Sequence, residues 1–116
     1  MIDTLYKNTD QSSSGTIWAA DGTALDLTNK TVQLFIKEVD KPEILLFKSS
    51  ESPDGNLNIL LPKTGGQYTV NFVPNDTVNI SEGTYQVGMI VIDSAKHIIY
   101  AGGDLIEIRA MGGPSE

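Results

Sequence analysis

Apolar and polar residues alternate along most of this chain, and this period of two limits its fold more than any other feature. Successive side chains of a β-strand point to opposite faces of a sheet, so the pattern is typical of strands with one buried face. No window long enough for a helix shows a 3.6-residue period, although residues 74–83 leave room for one short helical turn. Turn-forming pairs and triplets separate the alternating runs: Asp21-Gly22, Lys41-Pro42, Pro53-Asp54-Gly55, Gly65-Gly66, Pro74-Asn75-Asp76 and Gly102-Gly103.

The alternating runs predict seven or eight short strands, which is the expected pattern of an all-β antiparallel sandwich. Residues 80–85 refine this to an immunoglobulin-like sandwich, because a tyrosine at the start of strand F often bonds back to the preceding corner. Tyr85 is the candidate for this tyrosine corner; the alternative is an ordinary core tyrosine. The antibody pattern is absent, since the chain has no cysteine. The strands are predicted near 2–6, 15–20, 31–39, 44–49, 57–62, 67–73, 84–93 and 97–109, the last interrupted at Gly102-Gly103.

The length of 116 residues corresponds to one domain with a sizeable core. We expect a polar N-terminal strand or arm over residues 1–14, the sandwich over 15–110 and a flexible C-terminal tail over 111–116. Residues 7–14 and 111–116 are small, polar and rich in breakers, so both are predicted to be mobile unless a partner orders them.

Charge and composition exclude several classes of function. The formal net charge of −7 repels nucleic-acid phosphates and anionic membrane surfaces, so neither is expected as a partner. The absence of cysteine excludes thiolate catalysis and cysteine-based zinc sites. The N-terminal residues resemble no secretory signal, and no stretch approaches the ~20 apolar residues of a membrane span.

Candidate catalytic and metal-binding residues are few. His97 is the only histidine, so no histidine cluster can bind zinc and no triad has a base to spare. It lies in a predicted hairpin turn, where a solvated side chain is the simpler interpretation. Asp10, Asp21 and Asp26 lack the spacing of a calcium loop. We therefore predict no catalytic residue, no metal site and no cofactor.

Two weaker binding signals remain. The pairs Gly65-Gly66 and Gly102-Gly103 do not lie between a strand and a helix with a downstream lysine, so they are better explained as turns or bulges than as phosphate loops. Trp18 and Tyr6 offer rings on which a sugar can stack, which keeps a carbohydrate-binding module open as an alternative function.

Three stretches, in this order and spacing, carry a resemblance to a known family. They are residues 21–36 (DGTALDLTNKTVQLFI), 54–59 (DGNLNI) and 82–87 (EGTYQV). Together they resemble the small immunoglobulin-like domains of tailed-phage virion proteins, in particular the N-terminal domain of upper baseplate proteins of the BppU type. The resemblance spans residues 15–109.

This resemblance implies assembly without catalysis or a cofactor. The expected role is a structural subunit of the virion in the tail, baseplate or neck, in contact with other virion proteins and present in several copies. Upper baseplate proteins usually continue into helical and receptor-binding regions, whereas this chain stops at Glu116, so a stand-alone adaptor, decoration or tail-attached subunit is expected rather than a complete baseplate organiser. A capsid decoration protein on the outer head is the alternative within the same class.

A predicted apolar surface gives this role a candidate interface. In an immunoglobulin-like sandwich, residues 31–39, 84–93 and 97–109 become strands C, F and G of one sheet. With Tyr85 and Val87 inward, alternation turns the intervening residues outward. An exposed apolar patch on a soluble domain usually marks a partner site. The alternatives are that the N-terminal strand or a loop covers the patch, or that a bulge reverses the alternation. The predicted interface residues are Phe35, Ile90, Ile92 and Leu105.

Overall fold

The computed structural model describes residues 4–51 and 56–110, which form eight strands and two short helical turns. The alternating runs identified in the sequence account for most of the strands. The elements are β1 (Thr4–Lys7), β2 (Gln11–Thr16), β3 (Thr31–Glu38), β4 (Ile44–Ser49), β5 (Leu57–Ile59), a 3-10 turn (Lys63–Gly65), β6 (Gln67–Phe72), α1 (Pro74–Thr77), β7 (Gly83–Ile92) and β8 (Ile98–Ala110).

The strands form two sheets that pack into a sandwich. The larger sheet has five strands in the order β1-β8-β7-β3-β4, and the smaller has three in the order β2-β6-β5. In immunoglobulin terms, β3, β7 and β8 are the adjacent strands C, F and G, while β2, β6 and β5 match B, E and D. The predicted immunoglobulin-like sandwich is confirmed. One pair departs from the antiparallel expectation, since β1 runs parallel to β8.

The core lies between the two sheets and is built from the inward residues of nearly every strand. In β7 the residues Tyr85, Val87, Met89 and Val91 are all buried, so the predicted alternation of this strand is confirmed. From the facing sheet, Tyr68, Val70 and Phe72 of β6 close the core.

Tyr85 also forms the predicted corner. Its hydroxyl donates a hydrogen bond to the carbonyl oxygen of Ser81 at 2.7 Å. The bond ties the start of β7 to the connection that precedes it, which is the geometry of a tyrosine corner.

The N-terminal segment belongs to the sandwich. The predicted boundary at residue 14 falls inside β2, which begins at Gln11 and ends at Thr16, so the strand predicted near 15–20 is displaced. Polar contacts hold the turn between β1 and β2, including a 3.2 Å hydrogen bond from the amide of Asn8 to the hydroxyl of Thr77. The predicted tail, residues 111–116, lies outside the described residues.

The last strand is continuous through its two glycines, so the interruption predicted at Gly102-Gly103 is wrong. A side chain would be crowded at both positions: a Cβ on Gly102 would lie 2.6 Å from the Tyr100 hydroxyl oxygen, and one on Gly103 would lie 3.0 Å from the Val87 carbonyl oxygen. The glycines therefore permit close packing inside a strand and do not end it.

A buried ion pair links β4 to α1. Lys48 points into the sandwich, with its Nζ 2.8 Å from Oδ2 of Asp76, and their side chains are only 5% and 14% exposed. The same carboxylate oxygen accepts the backbone N–H of Val73 at 2.9 Å. The lysine Nζ also lies 5.9 Å from the ring centroid of Phe72. The pair fixes the connection between β6 and β7 against the edge of the larger sheet.

Candidate functional site

The candidate site is the outer face, by which we mean the side of the larger sheet that points away from the smaller one. It is built by β3, β7 and β8, which are hydrogen-bonded neighbours. Because Val87 and Met89 of β7 are buried, the intervening residues of that strand point outward. The four predicted interface residues all belong to this face: Phe35, Ile90, Ile92 and Leu105.

Two facing glycines form a shallow hollow at the centre of the outer face. Gly88 of β7 lies opposite Phe35 on one side and Gly103 on the other. The Phe35 ring lies across Gly88, where a Cβ would come within 2.4 Å of the ring's Cζ. The hollow has a volume of about 320 Å³ and is bordered by Phe35, Ile90 and Ala101. Such a depression can receive a protruding apolar side chain of another protein, which a flat sheet surface cannot.

The four predicted residues are not equally placed. Phe35 and Ile90 border the hollow and are partly buried. Leu105 lies opposite Gln86 and is 55% exposed, on the β1 side of the face. Ile92 ends β7 beside Ile98 and is partly buried. The structure thus brings two of the four together and leaves the other two on the same face but outside the hollow.

Strand β4 extends the apolar surface with residues that the sequence analysis missed. Phe47 lies directly opposite Phe35 and is 50% exposed, and Ile44 lies opposite Lys37 with the same exposure. The missing signal was the register: once β4 is paired antiparallel with β3, alternation places Phe47 on the outer face. The face is therefore wider than predicted, and its most exposed aromatic ring lies on the edge strand.

The polar groups of the outer face largely balance in charge. The Nζ of Lys37 lies 5.9 Å from the centroid of the Phe35 ring, a cation–π distance. Near the other edge, Nε of Arg109 donates to Oε1 of Glu107 at 2.6 Å. The face thus holds few charges, whereas the whole chain has a net charge of −7.

The N-terminal strand does not cover the face, so that alternative is wrong. Strand β1 lies beside β8 and continues the sheet at its edge. Leu5 is fully buried in the core opposite Ile108, which holds β1 in the plane of the sheet. Tyr6, the next residue, is 38% exposed.

The outer side of the smaller sheet has the opposite character. There the hydroxyl of Ser12 donates to Oδ1 of Asn71 at 2.7 Å, and the hydroxyl of Ser14 donates to Oγ1 of Thr69 at 3.2 Å. These pairs form a polar cross-strand ladder whose groups bond one another. Of the two outer sheet surfaces, the larger sheet's is therefore the apolar one.

Three carboxylates close turns, and two of them, Asp21 and Asp26, were considered in the sequence analysis. Asp93 accepts the backbone N–H groups of His97 and Ala95, and these bonds lower the pKa of its carboxyl group. Hydrogen bonds from Thr23 lower the pKa of Asp21 in the same way, and those from Thr28 lower the pKa of Asp26. Each side chain closes its own turn, which is a structural role.

The remaining chemical candidates do not converge. His97 has an exposed side chain in the turn after β7, with Nδ1 3.8 Å from Asp93 Oδ2. Within residues 4–51 and 56–110, no group of three or more His, Cys, Asp or Glu side chains has the arrangement of a metal site. Over the same residues, no helix has the length and apolar character needed to cross a membrane.

The two aromatic residues considered for glycan stacking lie at opposite ends of the sandwich. Trp18 follows the end of β2 at Thr16 and is 58% exposed. Tyr6 lies opposite Arg109, near the far end of β8. The structure therefore does not assemble Trp18 and Tyr6 into one platform.

A polar cleft of about 720 Å³ lies at the end of the sandwich where β7 turns into β8. Lys30, Lys63 and Lys96 line it together with Glu51 and Asp93. Its charges are mixed, and nothing in the sequence had singled it out.

No protein-family model and no curated protein matches the chain, so the proposed function is argued from the residues themselves.

Proposed function

We propose that this chain is a non-catalytic docking module: a structural subunit of a tailed-phage particle, in the tail, baseplate or neck, that binds a neighbouring virion protein through its outer face. The observation that carries the proposal is the contrast between the two sheets. The outer surface of the smaller sheet is a ladder of polar side chains that hydrogen-bond to one another. The outer face of the larger sheet exposes Phe47, Leu105 and the hollow beside Phe35. An apolar patch of this kind usually marks a partner site.

The energetics suit a contact made many times in one particle. Burying each large apolar side chain contributes roughly 1.5–3 kcal/mol, and a specific interface covers upward of about 1,000 Å². Several such residues on one face anchor a subunit, and repetition of the contact adds avidity. The phage assignment itself rests on the resemblance of residues 21–36, 54–59 and 82–87 to virion domains.

The preferred partner is a different protein with a protruding apolar element and few acidic groups. Two copies of this chain each have a net charge of −7, which opposes their approach at neutral pH. The outer face offers a depression and not a knob, so the partner supplies the side chain that enters it.

The decisive experiment compares two charge-neutral double variants. Phe35→Glu with Ile90→Lys alters the hollow, and Ser14→Lys with Thr69→Glu alters the polar ladder of the smaller sheet as a matched control. Incorporation into purified particles is measured by immunodetection, and folding by denaturant melts. We expect the first variant to fold but to be lost from particles, and the control to be incorporated normally. Normal incorporation of the first variant would overturn the proposal.

Two alternatives have their own tests. Imaging intact particles with this chain labelled separates a tail or baseplate position from a decoration protein on the outer head. A carbohydrate-binding module remains the candidate from another class because Trp18 is 58% exposed. Glycan binding by the isolated protein, lost on Trp18→Ala, would support that function.

A further inference from the structure

The two edge strands of the larger sheet, β1 and β4, differ in whether side chains bond to their outward backbone groups. At one edge, the side-chain amide of Gln11 covers β1: its Nε2 donates to the carbonyl oxygen of Thr4 at 3.1 Å, and its Oε1 accepts the N–H of Tyr6 at 2.8 Å. These are the backbone groups of β1 that point away from β8, so the amide takes the place of a further strand. Edge strands blunted in this way resist pairing with other chains.

The opposite edge, β4, has no such cover among the described residues. Ser50 donates its N–H to the carbonyl oxygen of Val32 at 2.9 Å, which identifies the residues of this pair as hydrogen-bonding partners. In an antiparallel ladder such pairs alternate, so Leu46 and Lys48 also direct their backbone groups to β3. Phe47, between them, therefore directs its N–H and carbonyl oxygen to the free edge.

A groove runs beside this edge. Its volume is about 390 Å³, and it lies between β4 and the connection that leads from β6 to β7. Ile44 and Leu46 form one wall, while Asn79 and Ile80 form the other. A strand added to β4 would place its inward side chains here, where an apolar residue meets Leu46 and Ile80.

We propose that the free edge of β4 receives an extended segment of the partner protein as an additional strand. This inference rests on the proposed docking function and specifies how the partner binds: main-chain hydrogen bonds to Phe47, with an apolar side chain in the groove. Glu43 lines the groove just before β4. Glu51, beyond the other end of the strand, instead accepts a hydrogen bond from the hydroxyl of Thr31 and lines the cleft that holds Lys30 and Lys63. The added segment therefore has apolar residues in its centre and lysine or arginine beside Glu43.

The charge of the chain argues against a second copy as the occupant. Two copies, each with a net charge of −7, repel each other at neutral pH, and the β4 strand of a second copy would bring a further Glu43 carboxylate to the edge. A basic residue beside Glu43 is attracted instead.

Amide hydrogen exchange of the full-length protein tests the edge directly. In the free protein we expect the Phe47 amide to exchange quickly while the amides of Leu46 and Lys48 are protected. The probe is a synthetic heptapeptide of alternating valine and threonine with lysine at each end. Saturation with it should slow Phe47 exchange at least about tenfold, whereas a twin peptide ending in glutamate should have little effect. A Phe47 amide already protected in the free protein, no slowing with the lysine peptide, or equal binding of both peptides would overturn the proposal.

Two variants separate the backbone of β4 from its side chain. Phe47→Pro removes the outward N–H without breaking the ladder to β3, and proline is tolerated on edge strands. Phe47→Ala removes the same ring but keeps the N–H. We expect the proline variant to lose peptide binding and the alanine variant to keep most of it, with folding of both checked by thermal melts. Equal binding by the two variants would contradict strand addition.

A failure of strand addition at β4 can be distinguished from a failure of the proposed docking function. The variant Phe35→Glu with Ile90→Lys alters the hollow and leaves the β4 backbone intact, so it should still bind the lysine peptide. If it binds the peptide but is lost from particles, both proposals stand. If particles incorporate it normally while Phe47→Pro is lost, docking uses the edge and not the hollow.

Discussion

At the scale of single residues, Gly88 determines the shape of the outer face. Because Gly88 has no side chain, the far edge of the Phe35 ring lies over β7 at this position, and the hollow remains open beside it. A glycine inside a strand is otherwise unfavourable, since it adds no packing and orders a flexible backbone. The position is thus explained by the close approach of the ring.

Gly88→Ala should therefore destabilise the fold by about 1–3 kcal/mol, because the new methyl group must displace the ring. Gly65→Ala is the matched control, since a Cβ there meets nothing within 4 Å. We expect the control to be neutral or slightly stabilising. Urea unfolding of both variants measures the difference, and equal stability of the two would mean that the Phe35 ring does not lie over Gly88.

Tyr68 is the residue whose burial affects alkaline stability. Burial, and then the nearby Tyr100, raises the pKa of the Tyr68 hydroxyl above its ordinary value of 10.0. The unfolded chain therefore loses this proton at a lower pH than the folded protein does. Folding stability should fall as the pH rises above about 10, because the unfolded state then binds fewer protons.

Replacing Tyr68 with phenylalanine tests this linkage. Tyr68→Phe removes the titrating group, so its free energy of unfolding should decline less steeply than that of the wild type between about pH 9 and 11. Lysines titrate in the same range, but they are common to both proteins. Denaturant unfolding across the range gives the two slopes, and identical slopes would contradict the assigned direction.

At the scale of secondary-structure elements, the sequence predicted best where one face of a strand is apolar. Strand β7 was placed correctly because Val87, Met89 and their neighbours alternate without interruption. Strand β2 was displaced because its sequence, QSSSGT, contains no apolar residue. Its glycine has a reason that only the fold supplies: a Cβ on Gly15 would lie 2.7 Å from the hydroxyl oxygen of Tyr68.

The candidate site was likewise predicted only where alternation within one strand was enough to place a residue. Phe35 and Ile90 followed from alternation within their own strands. Phe47 required the register between β3 and β4, which sequence alone does not fix. Lys48 was overlooked because a charged residue near a strand end suggests solvent, although it has the same parity as Leu46. Its partner Asp76 lies in α1, and that distant pairing leaves no local signal.

The ion pair of Lys48 with Asp76 should be strongly coupled. Lys48→Met leaves a largely buried carboxylate without its cation, at a cost of about 3–5 kcal/mol. Asp76→Asn keeps an oxygen for the Val73 N–H but leaves the ammonium unpaired. The double variant should recover much of the loss, so a double-mutant cycle by urea unfolding should give a coupling energy on the order of 1–3 kcal/mol.

The exposed pair of Glu107 and Arg109 provides the comparison. Its side chains are 45% and 60% exposed, so Glu107→Gln should change stability by no more than about 1 kcal/mol. If Lys48→Met cost equally little, or if the double variant showed no coupling, the buried pair would not hold α1 against β4.

At the scale of the whole molecule, two opposed properties meet on one domain. The outer face presents exposed apolar rings, which favour association. The net charge of −7 keeps copies of the chain apart while the charges act over distance. Both properties suit the proposed docking function, in which copies of the chain stay apart in dilute solution and the outer face binds a partner of complementary shape and charge.

This balance predicts that salt will cause the isolated protein to self-associate through the outer face. At about 1 M salt the Debye length falls to roughly 3 Å, so the repulsion between copies is screened. Static light scattering should show the average mass of the wild type rising with salt. Phe35→Glu with Ile90→Lys keeps the net charge unchanged and should remain monomeric. Ser14→Lys with Thr69→Glu, also charge-neutral, should associate as the wild type does. Equal association of all three proteins would show that contacts elsewhere on the molecule cause the self-association. The outer face would then not be the surface through which copies of the chain associate.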